Sequence, residues 1–539
     1  RWLRTGRLER RVVIVGGGIS ALVAAAELAA RGRSVTIVER QPRSALGGQA
    51  RDAFGGLFFV DSPEQRRVGI RDSFELAWAD WQGYAEFGPD DGNPRAWARR
   101  YIERCIPDVR EYLTAKGLGF VPVANWAERA ADGRGNRIPR FHLLWGCGPA
   151  LVSALRREVE SAESDGRVTI RCEHQVDELI VEGGAVVGVR GHVAPGDEFE
   201  LRAEHVVIAA GGRTGDLAKV RASWPRDAWG EPPAELLAGV WPEIDGAMHD
   251  AAAAAGATLK NLENMWVYAA GIGHLAPDFD GHGLAIIPPK SALWMTADGS
   301  RFTPPLLAGY DTRDAVARVM ASGHGWSWLV LNRRILAKEI AIQSARYNPA
   351  FAHRRYAEVA RDLAFGNTAL AAELVTRSAD VVTAPDLATL AQRMTALTPS
   401  TPIDAAALAR DVNAFDAEIA RGAKLFTDAQ LVSLRNIRAF LGDRVRLTAY
   451  PQIAGGPLAK RGELVAIRLR PVARKTLGGI ETDEACRAVR ADGTAVPGLY
   501  AIGEAAGFGG GGMNGKRTLE GTLLGGCIFT ARELARQLP

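Results

Sequence analysis

The chain has 539 residues, too many for one ordinary core, so two or three domains are expected. Its 66 basic and 62 acidic residues are spread along the chain, leaving a net charge of +4 with no basic stripe of the kind that binds nucleic acid. Five scattered cysteines without a CxxC pair exclude a disulfide frame or a cysteine zinc site, and no metal site is expected.

In chain order, a short basic lead precedes residues 11–15 (RVVIV), a compact β-branched strand. Gly16-Gly17-Gly18-Ile19-Ser20-Ala21 follows, then an alanine-rich helix over 20–31, a stop at Gly32, and a second strand over 34–39. This βαβ unit carries Gly16-x-Gly18-x-x-Ala21, where Gly16 allows the tight turn, Gly18 admits a pyrophosphate to the backbone, and Ala21 permits close packing of helix on strand. Ser20 opens the helix, whose free N–H groups and positive dipole end face the phosphates. Glu39 ends the second strand, placed to accept hydrogen bonds from a ribose diol, and Arg40 follows it.

Helices are expected over 72–81 and 95–113, and strands near 168–171, 185–190 and 206–210. From 271 to 475 Pro-rich loops alternate with amphipathic patterns such as 331–344, 356–363 and 405–421. The last 65 or so residues return to strand and Gly-rich loop, with a final helix from Thr522. The reading is an α/β protein with an α+β insertion. A Rossmann-like FAD-binding domain (1–268 and 476–539) is interrupted by a smaller capping, substrate-binding domain (269–475).

The first motif fits FAD or NAD alike. The other glycine-rich segments distinguish them: Leu46-Gly47-Gly48-Gln49 with Gly55-Gly56, Ala209-Ala210-Gly211-Gly212, and Gly503-Glu504 running into Gly507–Gly512 and Gly521-Thr522-Leu523. Together these resemble the fumarate reductase/succinate dehydrogenase flavoprotein superfamily, near the 3-ketosteroid dehydrogenase branch, over nearly the whole chain. The resemblance implies FAD held at Gly47, Gly48, Gly56, Ala210, Gly211, Gly503, Glu504, Thr522 and Leu523. It also implies a last helix whose N-terminus faces the flavin pyrimidine ring. Relatives with covalent flavin carry a histidine before the first Gly-Gly pair; Ser44-Ala45-Leu46 stands there, so FAD is expected to be non-covalent.

Gly299-Ser300-Arg301-Phe302 and Asp311-Thr312-Arg313-Asp314 resemble the family's Gly-x-Arg-Phe and Thr-Arg-Asp run, which makes Arg313 a catalytic candidate. The residues that grip a dicarboxylate in fumarate reductases are not clearly matched: Arg474-Lys475 replaces a histidine pair, and Arg517 is displaced by one position. An apolar ketone or enone suits the chain better, with hydride passing between a CH–CH or C=C pair beside a carbonyl and flavin N5. Tyr450, before Gly455-Gly456, and Tyr310, three positions before Arg313, are candidates to polarise that carbonyl, and Tyr268 falls near a plausible site segment. The alternatives are a fumarate reductase-like reductase of a small unsaturated acid, expected if Arg313, Arg474 and Arg517 converge, and a catalytically degenerate flavin-binding protein. No membrane span and no second dinucleotide motif stand in the sequence, so the electron partner is unassigned. A cytoplasmic location is the expectation.

Overall fold

The computed structural model describes residues 11–193 and 196–538; the basic lead at 1–10 lies outside them. The first strand, β1 (Arg11–Val15), is central in a six-stranded sheet because Val12 to Val15 are β-branched and buried on both faces. It leads through the glycine turn into α1 (Ile19–Ala30) and back to β2 (Ser34–Val38) in parallel register, with Val12 opposite Val35 and Val15 opposite Val38. The sheet order is Arg487–Val489, Ala495–Ala501, His205–Ile208, β1, β2, Val168–Arg171. Only the Arg487–Val489 edge is antiparallel. The strand Ala495–Ala501, drawn from the chain's end, thus lies two places from β1, and the C-terminal glycine loops emerge beside the N-terminal ones.

One face of this sheet is covered by α1, Cys147–Ser164 and Thr522–Gln537, packed through small side chains such as Ala21, Ala24 and Ala25. The other face carries a three-stranded antiparallel sheet, His174–Glu182, Ala185–Val193 and Asp197–Arg202. The expected helix over 95–113 forms as Gly92–Arg104, followed by a wider π-helical turn at Cys105–Arg110 and a short helix Glu111–Ala115. Pro107, which has no N–H to donate, sits in that wide turn.

The second body is built on an eight-stranded sheet, with Leu464–Thr476 pairing four neighbours: Met265–Gly273, Ser327–Asn332, Leu237–Ala238 and Val381–Ala384. Within the expected α+β insertion only helical patterns are singled out, and the strands of this sheet are not. Apart from the long Leu464–Thr476, its strands are short or continuously apolar, as in Met265–Gly273 (MWVYAAGIG), and lack the alternation that marks a half-exposed strand. The pattern over 331–344 divides into strand Ser327–Asn332, helix Arg333–Glu339 and strand Ala341–Ile342. Helices at Tyr356–Phe365 and Ala405–Arg421 form close to where periodicity places them. The limit expected at 268/269 falls inside Met265–Gly273, and Leu464–Thr476 runs to the limit expected at 475/476. These two paired strands therefore join the bodies as one continuous ribbon.

Candidate functional site

The ends of β1, β2, His205–Ile208 and Ala495–Ala501 open on a cavity of about 980 Å³, at the upper end of the range for small-molecule pockets. Gly16 turns at φ +104°, and a Cβ there would stand 2.5 Å from the Ala209 carbonyl oxygen. Gly18 is open: nothing lies within 4 Å of the position a Cβ would take, so a phosphate can approach its backbone. Glu39 is held at the cavity edge by Gly17 N–H, which donates to Oε2 at 2.5 Å, and Gln41 N–H, which donates to Oε1 at 2.8 Å. A carboxylate has about four lone-pair sites, so two remain for ribose hydroxyls.

Most of the expected cofactor residues meet here. Gly16, Gly18, Ser20, Glu39, Arg40, Gly47, Gly48, Gly56, Ala210, Gly211, Glu504 and Leu523 all border the cavity. Arg40 pairs with Asp245 at 3.0 Å. Glu504 is 8% exposed, pairs with Lys475 at 3.2 Å and accepts from Thr476 N–H at 3.0 Å. Three expected residues stand behind the wall. Ala21 is fully buried under the turn, Gly503 packs on Ser20 with φ +63°, and the Thr522 hydroxyl turns into a buried network with Thr518 (2.6 Å) and Asn514 (2.8 Å). Arg474 and Lys475 both border the cavity, and Lys475 pairs there with Glu504.

The three catalytic candidates do not gather. Tyr310 borders the cavity, with its hydroxyl 2.6 Å from Ser433 Oγ. Arg313 lies outside the wall, stacked 4.9 Å over Trp229, with Nη1 3.5 Å from the Lys516 carbonyl; burial, with Arg517 next to it, lowers its pKa. Tyr450, at φ +49°, packs edge-on against Phe426 beneath Arg438, also away from the cavity. Arg517 is tied to Asp311 and Glu86, each at 2.8 Å. Arg313, Arg474 and Arg517 therefore do not converge: among them only Arg474 borders the cavity.

The cavity wall instead carries a polar cluster around Tyr268, whose hydroxyl donates to Glu520 Oε2 at 3.0 Å. Trp266, Gln343 and Arg474 border the cavity with them. Burial pushes the Glu520 carboxyl up against the opposing hydrogen bond from Tyr268, and pushes the Tyr268 phenol well up. Glu520 stands immediately before Gly521, the cap of helix Thr522–Gln537. The family's motif covers Gly521-Thr522-Leu523 and not the acid before it; an acid between Leu519 and Gly521, with no cationic neighbour in the helix turn it precedes, is the signal that the sequence offers.

The fit of a dinucleotide rests on more than glycines. Gln49, Trp266 and His249 border the cavity, and their Nε2, Nε1 and Nδ1 are buried nitrogens with no hydrogen-bond partner among the described residues. His249 is pushed down to about 4 by burial and is therefore neutral, its Nε2 2.9 Å from the Ala505 carbonyl oxygen. Arg51 stacks 4.9 Å over Trp241 on the same wall, a cation suited to a pyrophosphate. A strand–turn–helix phosphate cradle, an acid ending β2 and a second helix N-terminus meeting in one cavity define a flavin dinucleotide-binding protein.

Residues 11–524 match the FAD binding domain family, and the chain belongs to it. The protein is an FAD-dependent dehydrogenase. It is 44% identical over 550 residues to a KsdD-like steroid dehydrogenase of Mycobacterium tuberculosis, covering 98% of this chain and 95% of the relative. It is 43% identical over 532 residues to one of Mycolicibacterium smegmatis, covering 95% and 96%. The fold matches that of the 3-ketosteroid delta1-dehydrogenase of Sterolibacterium denitrificans at TM-score 0.70 and 17% identity, over 98% of each chain.

Proposed function

We propose that the chain dehydrogenates a steroid or steroid-like ketone at a CH–CH pair beside its carbonyl. The observation that carries this is one cavity in which the glycine cradle opens into an apolar chamber. Trp126, Phe141, Trp145, Ile286, Trp294 and Phe351 line that chamber, and Tyr268 and Glu520 form a polar cluster on its wall. An apolar ring system is recognised by such walls, and a single carbonyl by a small set of donors. The names of the two mycobacterial relatives, at more than 40% identity, point the same way. A dicarboxylate needs cationic forks at both ends; Arg517 is consumed by Asp311 and Glu86, and Arg313 stands on Trp229.

When bound, FAD supplies the two-electron acceptor that takes a hydride at N5. The protein's part is to hold the ketone and manage the proton. Burial raises the Glu520 carboxyl, and Tyr268, its phenol pushed well up by burial, retains its hydrogen and gives it to Glu520. With the Tyr268 hydrogen given to it, Glu520 would be the acid–base group on the wall that takes up the proton released from the carbon beside the carbonyl. Tyr310 stands elsewhere on the wall as a second hydroxyl. Gly47, Gly48, Glu504 and the N-terminus of Thr522–Gln537 would hold the FAD. We further propose that FAD is non-covalent, since Ser44-Ala45-Leu46 precedes Gly47, and that 269–475 is the substrate-binding part.

An anaerobic spectrum tests the reading. A saturated 3-ketosteroid is expected to bleach the flavin absorbance, while fumarate leaves pre-reduced protein unchanged. Reoxidation by fumarate, with no bleaching by any ketone, would overturn it. Acid precipitation is expected to release the yellow colour into the supernatant.

A further inference from the structure

Seven large apolar side chains stand well exposed among the described residues, and four of them lie on two helices that pack together: Tyr356 (59%), Phe365 (80%), Leu441 (40%) and Val445 (44%). Tyr356 and Phe365 begin and end the helix Tyr356–Phe365, while Leu441 and Val445 lie on Leu441–Arg446, which packs against it. Tyr356, Leu441 and Val445 also border the cavity, so this patch is its rim. The outward row of Tyr356–Phe365 is Ala357, Ala360, Arg361 and Ala364, where a helix facing water ordinarily carries several polar residues. Behind the rim, Trp145 packs edge-on to Tyr356 at 5.0 Å and stacks on Phe351 at 5.5 Å, continuing the aromatic surface inward.

Charge follows the same rim. A shallow cleft beside Leu441 is bordered by Arg67, Arg71 and Arg444, with no carboxylate among its lining residues. All three arginines are exposed and none forms an ion pair with a described residue. The neighbouring acids are already engaged: Glu358 by Arg355 at 3.3 Å, Asp362 by Arg361 at 3.0 Å, and Asp443, buried, by Lys290 at 3.0 Å.

From the exposed apolar rim, its aromatic lining and the exposed arginines around it, which have no ion-pair partner among the described residues, we propose that the cavity mouth docks on the surface of an anionic lipid bilayer. The protein lies on that surface rather than spanning it: no helix among the described residues is long and apolar enough to cross a membrane. Tyrosine and tryptophan suit the headgroup level, Phe365 and Leu441 reach below it, and arginines pair with lipid phosphates. The purpose rests on the apolar-ketone reading: a substrate that partitions into lipid would pass from the bilayer to the chamber without crossing water.

Flotation of the FAD-loaded full chain with vesicles tests this, without substrate. Binding is expected to phosphatidylcholine vesicles containing phosphatidylglycerol, to weaken as salt is raised, and to be far weaker to phosphatidylcholine alone. Arg67→Glu with Arg71→Glu and Arg444→Glu is expected to weaken anionic binding by on the order of 100-fold or more, since each surface arginine contributes about fivefold. Phe365→Asp is expected to lower binding to both vesicle types; at 80% exposure its replacement leaves the core intact, which retained flavin absorbance checks. Absence of flotation on anionic vesicles, or flotation undiminished by Phe365→Asp, overturns the inference. So does a concentration-dependent dimer abolished by Phe365→Asp, which would assign the rim to a second copy of the chain. A protein that floats but is bleached by no ketone would keep this inference and remove the substrate reading.

Discussion

The glycine cradle and the Tyr268–Glu520 cluster border the same cavity, yet the first is made of backbone and the second of side chains. In the cradle the determining quantity is conformation: Gly16 at φ +104°, with a carbonyl oxygen 2.5 Å from where a Cβ would stand. In the cluster it is ionisation: a carboxyl whose pKa is raised by desolvation beside a buried phenol. A site made of backbone tolerates no added atom, whereas one made of side chains tolerates isosteres and fails when a proton is removed. That contrast tells which substitutions abolish binding and which abolish only turnover.

Gly16→Val gives the largest expected effect. It imposes backbone strain on the order of 1–3 kcal/mol and a clash with Ala209, so the purified protein is expected to carry no flavin and show no activity. Flavin absorbance equal to that of the parent would erase the contrast. Glu520→Gln is expected to keep the flavin while lowering turnover on the order of 10²-fold or more, the scale of a lost acid–base group. Its readout is rate against absorbance in the same sample; loss of both together would move Glu520 into the structural class.

The same acid sets a pH dependence of stability. Burial raises its folded-state pKa, so the folded protein keeps a proton that the unfolded chain releases above about 4.3. The folded state then binds more protons, and stability falls as pH rises from that value through the raised one. Thermal melts from pH 4 upward, in steps of about one unit, are expected to show a shallower decline in Glu520→Gln than in the parent. Parallel curves would show that Glu520 is ionised in the folded protein.

Smaller effects are expected outside the cavity. Arg313→Met loses a cation over Trp229 and is expected to cost about 1 kcal/mol of stability with turnover nearly unchanged. A large loss of rate with flavin retained would restore Arg313 to the chemistry. Tyr450→Phe keeps the ring that packs on Phe426 and is expected to change stability by less than about 1 kcal/mol and rate not at all. Steady-state kinetics with thermal melts separates these outcomes.

Legibility divided along the same line. The cradle was readable because strand, turn, helix, strand and Glu39 are contiguous, so local spacing alone places Gly16, Gly18 and Glu39 together. The later glycine segments were readable through a family resemblance, and most of them border the same cavity. The chamber was not readable. Tyr268 lies on a strand without alternation, Glu520 is 252 positions away, and their meeting depends on the ribbon of Met265–Gly273 with Leu464–Thr476 and on the docking of the last helix. The motif at Asp311-Thr312-Arg313-Asp314 was visible, but not the ring of Trp229 that receives its arginine.

The sequence by itself determined the α/β class and the dinucleotide cradle, because short-range spacing governs turns and helix starts; the choice of FAD came through the family resemblance. Only the tertiary structure decided that Tyr268 meets Glu520 on the cavity wall, that burial raises the Glu520 carboxyl, and that Arg313 and Arg517 are spent elsewhere. Those outcomes depend on desolvation and on partners hundreds of residues apart, and neither is encoded in any local run of residues.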